Sequence, residues 1–369
     1  MAAQGQTRFN RKGDWLWALL FLAPSLLGIL IFVVGPIIMS VIISFTDWRL
    51  ASPLTVESLR ENWLGLENYR DLLVWNEASW SVSQYALWRW PLLVISLIGL
   101  QLLMWRRRLS LAWGLALSVA AVAGLGWWAG LVPDWSDRRF WQSLGNTFYF
   151  VGLSVPLTVA IALLLAVALN RPLRGLALYR AAFFMPVISG AVAVALVWRW
   201  MFNPTIGPVN QALSLFGING PGWLSDKAWA MPAVIITDVW SNVGFYMIIF
   251  LAGLQGVPQS LYEAADIDGA SNWHKFWNVT VPLISSTTFL NTILALIAAF
   301  QVFTLPFIMT EGGPAGATRV LVYYMYDRAF DTPFRMGYGS AIAWILFVIL
   351  FALTALQWYA RRRWVVYEE

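Results

Sequence analysis

The feature that most restricts how this chain can fold is a series of eight apolar runs, at about 16–45, 87–105, 110–131, 142–169, 178–202, 230–255, 283–309 and 338–360. A hydrocarbon layer about 30 Å thick is crossed by roughly 20 helical residues, and each run is close to that length or longer. Hydrocarbon requires every backbone polar group to be paired within a helix or a closed barrel. The runs are long and continuous rather than alternating over ten residues, which selects helices. The expected fold class is therefore all-α, a polytopic transmembrane bundle of about eight spans.

Composition removes the soluble alternatives. The 369 residues are 59 % hydrophobic and 12 % charged, about half the charged share of an ordinary soluble domain. Many of the 24 tryptophans stand beside span ends, where an indole finds both apolar and polar partners. The formal net charge of +5 comes from short Arg clusters between apolar runs and not from one polar face, so nucleic acid is not an expected partner. There is no cysteine, which excludes disulfides, thiolate zinc sites and thiol chemistry and leaves the redox compartment open. His274 is the only histidine; with no second ligand near it, it reads as a surface or packing residue, and no metal site is expected. The basic N-terminus leads into an apolar run without an A-x-A site, so the first run reads as an uncleaved span.

The basic clusters also orient the chain. Arg8, Arg11 and Lys12 precede the first run, Arg106–Arg108 separate the second and third, Arg171, Arg174 and Arg180 separate the fourth and fifth, and Arg361–Arg363 follow the last. With eight crossings all four clusters fall on one side, while Asp47, Glu57, Glu61, Glu67, Asp71 and Glu77 fall on the other. The positive-inside rule then places both termini in the cytoplasm. Pro24, Pro36, Pro156, Pro186 and Pro306 lie inside runs and are expected to kink or break their helices; each has a purely structural reading and a pathway-lining one.

Between the sixth and seventh runs, residues 256–282 are too polar to cross and belong to the cytoplasmic side. Ser260 with Glu263 three residues later forms a capping-box pattern, which predicts a helix starting just after Ser260. Gly269 is placed to end it in the left-handed conformation. Ser271 can cap a second helix carrying Trp273, Phe276 and Trp277, expected to stop before Pro282. Ala264 and Ala265 on an exposed helix leave room for a foreign backbone, a surface with little purpose unless another protein docks there.

With Glu263-Ala264-Ala265, three residues, Gly269, nine residues, then Val279, Val281 and Pro282, the loop resembles the cytoplasmic signature of bacterial ABC importer permeases, specifically the carbohydrate type that includes maltose and glycerol-phosphate systems. Val replaces Ile and Leu at two positions of that signature and keeps its apolar character. The resemblance extends over the chain beyond about residue 140, the first run and Gly65-Leu66-Glu67-Asn68-Tyr69. It includes Asn146-Thr147, Tyr179-Arg180, Ala252-Gly253-Leu254 and Gly312-Gly313-Pro314. The departure is at 75–135, where this chain adds an apolar hairpin, 87–131, with the Arg triplet at its tip. The division implied is an N-terminal membrane region, 1–140, and a six-helix permease core, 141–369.

The resemblance implies a multi-pass protein of the bacterial cytoplasmic (inner) membrane that forms, with a second homologous permease, a pathway for a sugar or oligosaccharide. It also implies two cytoplasmic ATPase subunits and an extracytoplasmic substrate-binding protein as partners. Glu263, Ala264, Ala265, Gly269 and Pro282 would couple the chain to an ATPase. The family's pathway positions correspond here to Val187 and Ala191, Ser241 and Asn242, and Ala299 and Val302. From the residues themselves, a sugar's hydroxyls need polar groups facing the bundle interior. Asp238, Trp240, Ser241, Asn242, Tyr246, Ser189, Asn291, Gln301 and Thr304 are candidates, each with helix–helix hydrogen bonding as an equal reading and Asp238 with an outer-interface reading as well.

Other classes lack their signatures. An ion-coupled secondary carrier needs intramembrane carboxylates and usually an internal repeat; only Asp238 fits the first requirement and no repeat is visible. A membrane enzyme needs a catalytic constellation, and none is found. No G-x-x-x-x-G-K phosphate loop is present, so no cofactor is expected on this chain and ATP is expected on partner subunits.

Overall fold

The computed structural model describes residues 14–50, 52–73, 137–171, 174–331 and 333–361. The expected hairpin 87–131, with two of the eight runs, lies outside the described residues. Within them the chain is helical and, apart from two isolated bridges (Thr46 with Trp63, Arg49 with Arg335), carries no β-structure. Four helical segments, Ala18–Ser44, Arg138–Leu169, Ala230–Gln255 and Met336–Ala360, are long and apolar enough to cross a membrane, and two bent helix pairs reach that standard together. The six correspond to the six described runs.

The first compact unit joins the described residues of Met1–Asn68 to Arg328–Trp344. Its first span is α1 (Asp14–Ile29), a π-helical turn (Leu30–Val34) and α2 (Gly35–Ser44). Pro24 is carried inside α1, whereas Pro36 follows the π turn directly. There the Gly35 N–H reaches back to the Leu30 carbonyl, one residue beyond α-helical spacing, so the proline enters a locally widened helix instead of breaking it. The span ends on a buried knot: Asn68 Nδ2 donates to the carbonyls of Ser44 at 2.9 Å and Thr46 at 2.8 Å. Asn68 lies in α4 (Glu67–Leu73), after the short α3 (Val56–Glu61) whose N-cap is Thr55. Arg335 Nε lies 3.1 Å from Asp47 Oδ1 and its guanidinium stands 4.8 Å from the Tyr338 ring centre.

The second unit comprises the described residues of Tyr69–Asp327 and Ile345–Glu369. Its centre is α5 (Arg138–Leu169), which packs against α9 (Ala230–Gln255). Ala162 and Ala166 of α5 are fully buried, and side chains that small let helices approach closely. At 32 residues α5 is about 48 Å long by helical rise, and Pro156 leaves it unbroken. Asp137 caps its start through the Phe140 N–H at 3.0 Å and accepts from the Tyr324 hydroxyl at 2.5 Å. At the other end Arg180 Nη2 donates to the Leu169 carbonyl at 3.1 Å, a cation on the negative pole of the helix.

The fifth run, a single span in which Pro186 is expected to kink or break the helix, is two helices: α6 (Leu176–Ile188) and α7 (Ala191–Met201), bent by 99°. Pro186 lies one turn from the end of α6, and Ser189 and Gly190 are both extended. The seventh run also divides. Its first part, α13 (Ser285–Phe300), stops at Gln301, and α14 (Thr304–Thr310) resumes three residues later. Pro306 sits in the first turn of α14, where no intrahelical N–H is needed. The fold ends with α15 (Leu321–Phe330) and α16 (Met336–Ala360).

Candidate functional site

Two places gather the residues singled out in the sequence. The first is a cavity of about 350 Å³ where both helix breaks meet the middle of α9. Pro186, Val187, Ser189 and Ala191 come from the break between α6 and α7, and Gln301 to Leu305 from the break before α14. From α9 come Asp238, Ser241 and Asn242, which share a face because positions i, i+3 and i+4 do. Trp240 points elsewhere by the same geometry: it is exposed and edge-on to Trp198, ring centres 5.5 Å apart. Gly244 lets α9 approach α6, since a Cβ there would fall on the Phe183 carbonyl.

The polar groups of the cavity are partly committed. Asp238 accepts from the Ser154 hydroxyl of α5 and from Asn242 Nδ2 at 3.0 Å. The Ser241 hydroxyl donates back to the Thr237 carbonyl at 2.7 Å, and Asn242 Nδ2 also reaches the Asp238 carbonyl at 2.9 Å. That leaves a Ser241 lone pair and the Asn242 carbonyl oxygen as acceptors. Gln301 is exposed and makes no side-chain hydrogen bond among the described residues, so its amide can donate and accept. Asp238 is the single ionisable residue of the lining, and no cation lines it.

Val187, Ser189, Ser241, Asn242 and Gln301 therefore come together, as do Ala191, Val302 and Thr304. Tyr246, Ala299 and Asn291 are buried in the helix packing instead, with Asn291 Nδ2 donating to the Tyr246 carbonyl at 3.2 Å. Asp238 is held between α5 and α9 by Ser154 and Asn242. Ser154, which positions Asp238, was not singled out; its one signal was a hydroxyl in the middle of an apolar run.

The second place is the elbow of 256–282. Its first helix, α10 (Gln259–Ile267), begins before Ser260: Pro258 is the N-cap, with no side-chain cap, so the expected capping box does not form. The proline ring, at φ −60° and ψ 129°, already sets the entry geometry. The end is as expected. Gly269 has φ +71°, its N–H bonds the Asp266 carbonyl at 3.1 Å, and the Ala270 N–H bonds that of Ala265 at 2.9 Å, the paired bonds of a Schellman stop. Ser271 then caps α11 (Asn272–Lys275) through the His274 N–H, and His274 Nδ1 lies 2.8 Å from the Ser271 hydroxyl at an exposed position.

The second arm does not stop before Pro282. A π turn (Phe276–Thr280) carries it into α12 (Val281–Leu283), and the bend, 69°, falls after Leu283 where α13 begins. The Val281 N–H reaches the Phe276 carbonyl, the same device that admits Pro36. Two contacts brace the arms: Lys275 Nζ to Asp266 Oδ1 at 2.7 Å, and the Tyr262 hydroxyl to Thr280 Oγ1 at 3.0 Å. Glu263 and Ala264 face outward, Ala265 is half-buried, and Ile267 and Trp273 are among the most exposed apolar side chains of the chain.

Comparison with known proteins gives the family of the chain. A family model described as binding-protein-dependent transport system inner membrane component matches residues 122–365. The chain belongs to that family. It is an ABC importer permease, a multi-pass membrane transport subunit and not an enzyme. This permease is 31 % identical over 370 residues to the probable ABC transporter permease protein YesP of Bacillus subtilis (strain 168), covering 99 % of this chain and 96 % of the relative. It is 38 % identical over 237 residues to the lactose transport system permease protein LacF of Rhizobium radiobacter, covering 63 % of this chain and 79 % of that one. The fold of the permease is that of a chain in the crystal structure of a bacterial ABC transporter involved in the import of the acidic polysaccharide alginate, with TM-score 0.67 over 95 % of this chain and 96 % of the other at 20 % identity.

Proposed function

We propose that this permease is one of two that together form the pathway of a carbohydrate importer, with residues 141–369 as its transport core. The observation that carries the cargo class is the cavity lining. Ser189, Ser241, Asn242, Gln301 and Thr304 offer neutral donors and acceptors beside apolar Val187, Ala191 and Val302. Such a lining suits a polyhydroxylated solute with apolar ring faces. Lactose transport, named for one relative, is consistent with that class. Broken helices leave backbone groups free to line a pathway, which continuous helices cannot.

In this reading the termini and the elbow are cytoplasmic, and Glu263, Ala264, Ala265, Gly269 and Pro282 form the element received by one of two ATPase subunits. Ala264 gives close approach, Glu263 an exposed carboxylate, and Gly269 fixes the angle between the arms. ATP is bound by those partners and no cofactor by this chain, while an extracytoplasmic binding protein delivers the sugar. The test is co-purification of the assembled complex and measurement of its ATPase rate with neutral sugars, each with its binding protein. Stimulation by a sugar supports the reading; a complex stimulated only by non-carbohydrate solutes rules it out.

A further inference from the structure

The segment joining α7 to α9 is not used by the pathway or the elbow, and its composition is unusual for a water-exposed connection. From Trp200 to Ser225 it contains no ionisable residue. It nevertheless holds a helix, α8 (Pro208–Leu215), and exposes Leu215 at 85 %, Phe216 at 81 %, Ile206 at 58 % and Ile218 at 52 %. Gly217, at φ +72°, ends α8, and the Gly217 and Ile218 N–H groups bond the Ser214 and Leu213 carbonyls at 3.0 and 3.1 Å. This stop turns the chain within two residues and holds Leu215, Phe216 and Ile218 in one turn.

Apart from the exposed Asn219, the side-chain polar groups of the segment bond mostly to one another and to its own backbone. Asn203 Oδ1 accepts from the N–H groups of Thr205 and Ile206. Asn210 Nδ2 donates to the carbonyls of Pro204 and Pro221, Gln211 Nε2 to that of Ile206, and the Ser214 hydroxyl to that of Gln211. A Cβ at Gly220 would fall on the Asn210 amide, so glycine is what allows that bracing. A loop in water has no need to satisfy its polar atoms internally while turning leucine and phenylalanine outward; a segment in an apolar medium must.

Its depth is set by the span ends. Asn210 Oδ1 accepts from the Trp223 indole at 2.6 Å, and the Trp223 ring packs on Phe202, next to the end of α7, at 5.2 Å and on Trp229, the N-cap of α9, at 5.1 Å. Aromatic rings at span ends are characteristic of the headgroup layer. α9 is 26 residues long, about 39 Å by helical rise, so this layer lies across the bilayer from the elbow.

We propose that residues 206–218 form an interfacial anchor, with Leu215, Phe216 and Ile218 inserted into the leaflet opposite the elbow. The partner is the lipid surface itself: the exposed apolar tip follows the exposed Leu196, Val197 and Trp200 of α7 along the chain, and the absence of charge across Trp200–Ser225 suits insertion among acyl chains.

The natural absence of cysteine makes the test direct. Phe216→Cys, and independently Leu215→Cys, are labelled with an environment-sensitive fluorophore in the assembled importer and in the single permease, both in phosphatidylcholine nanodiscs. Ser260→Cys on the elbow is the aqueous reference. Lipids carrying a shallow spin label are expected to quench the 215 and 216 labels, and iodide to quench them at least about threefold less than the 260 label, in both preparations. Iodide quenching equal to that at 260 in the assembled importer would place the tip in water and overturn the proposal. So would a label that iodide reaches in the single permease but neither quencher reaches in the assembly, which would mean that a protein covers the tip.

Discussion

Lys275 Nζ lies 2.7 Å from Asp266 Oδ1, closing the elbow between its two arms. The pair is partly exposed, the Asp266 side chain at 61 % and that of Lys275 at 18 %, and such pairs contribute about 1 kcal/mol or less. The elbow's angle is therefore held mainly by the backbone, through the Gly269 stop, with the ion pair as a brace. Lys275→Ala is expected to leave sugar uptake within about twofold of the parent, measured in reconstituted vesicles.

Gly269 is the sensitive position. At φ +71° an L side chain costs about 1 kcal/mol or more, and proline additionally removes the N–H that bonds the Asp266 carbonyl. Gly269→Ala is expected to lower the uptake obtained per ATP hydrolysed. Glu263→Ala combined with Gly269→Pro is expected to abolish uptake while the protein still reaches the membrane. Undiminished transport by the double variant would remove the elbow from the mechanism.

Asp238 gathers two donors from different directions, Ser154 and Asn242. Asp238→Leu leaves the Ser154 hydroxyl, 1 % exposed, without its acceptor, at a cost of about 1–3 kcal/mol. It also removes the one carboxylate of the cavity. Uptake is expected to fall at least about tenfold with the complex still assembled, and Asp238→Asn, which keeps an acceptor, should fall less. Equal uptake by both variants and the parent, at equal surface expression, would separate this cavity from the pathway.

The same accounting applies at the end of the first span. Asn68 is fully buried and supplies both of its N–H groups to carbonyls there. Asn68→Ala is expected to destabilise the fold by about 2 kcal/mol, seen as a lower apparent melting temperature in detergent, with Asn68→Asp no better because it lacks those donors.

How far the sequence could be read depended on the distance over which each feature is encoded. Runs of twenty apolar residues and the spacing of Glu263, Ala264, Ala265 and Gly269 are local, and the spans, the glycine stop and the Ser271 cap follow from them. Pro186 and Pro306 mark the fifth and seventh runs for a kink or break, but the breaks at Ser189–Gly190 and at Gln301–Phe303 are each two or three residues inside an apolar run, too brief to change its composition, so their positions are not legible in it. The start of α10 was misread because Ser260 and Glu263 match a capping box while Pro258 had already set the entry geometry. Pro282 looked like a terminator because a π turn, which admits a proline without ending the helix, leaves no mark in composition. In α9 the i, i+3, i+4 spacing of Asp238, Ser241 and Asn242 was available and separates them from Trp240. Which face met the cavity, and that Ser154 would hold Asp238, depend on α5, 84 residues away along the chain.

The claim on which the rest stands is that the elbow receives its motion from a separate ATPase. A single cysteine at Ala264, on the outward face of α10, measures this directly through thiol cross-linking in the assembled importer. The account predicts a covalent adduct with an ATPase subunit, formed from the cytoplasmic side and changing in yield with nucleotide. Modification of that cysteine by an impermeant reagent from outside the cell, or vesicles holding this permease alone that take up sugar without any ATPase, would contradict it.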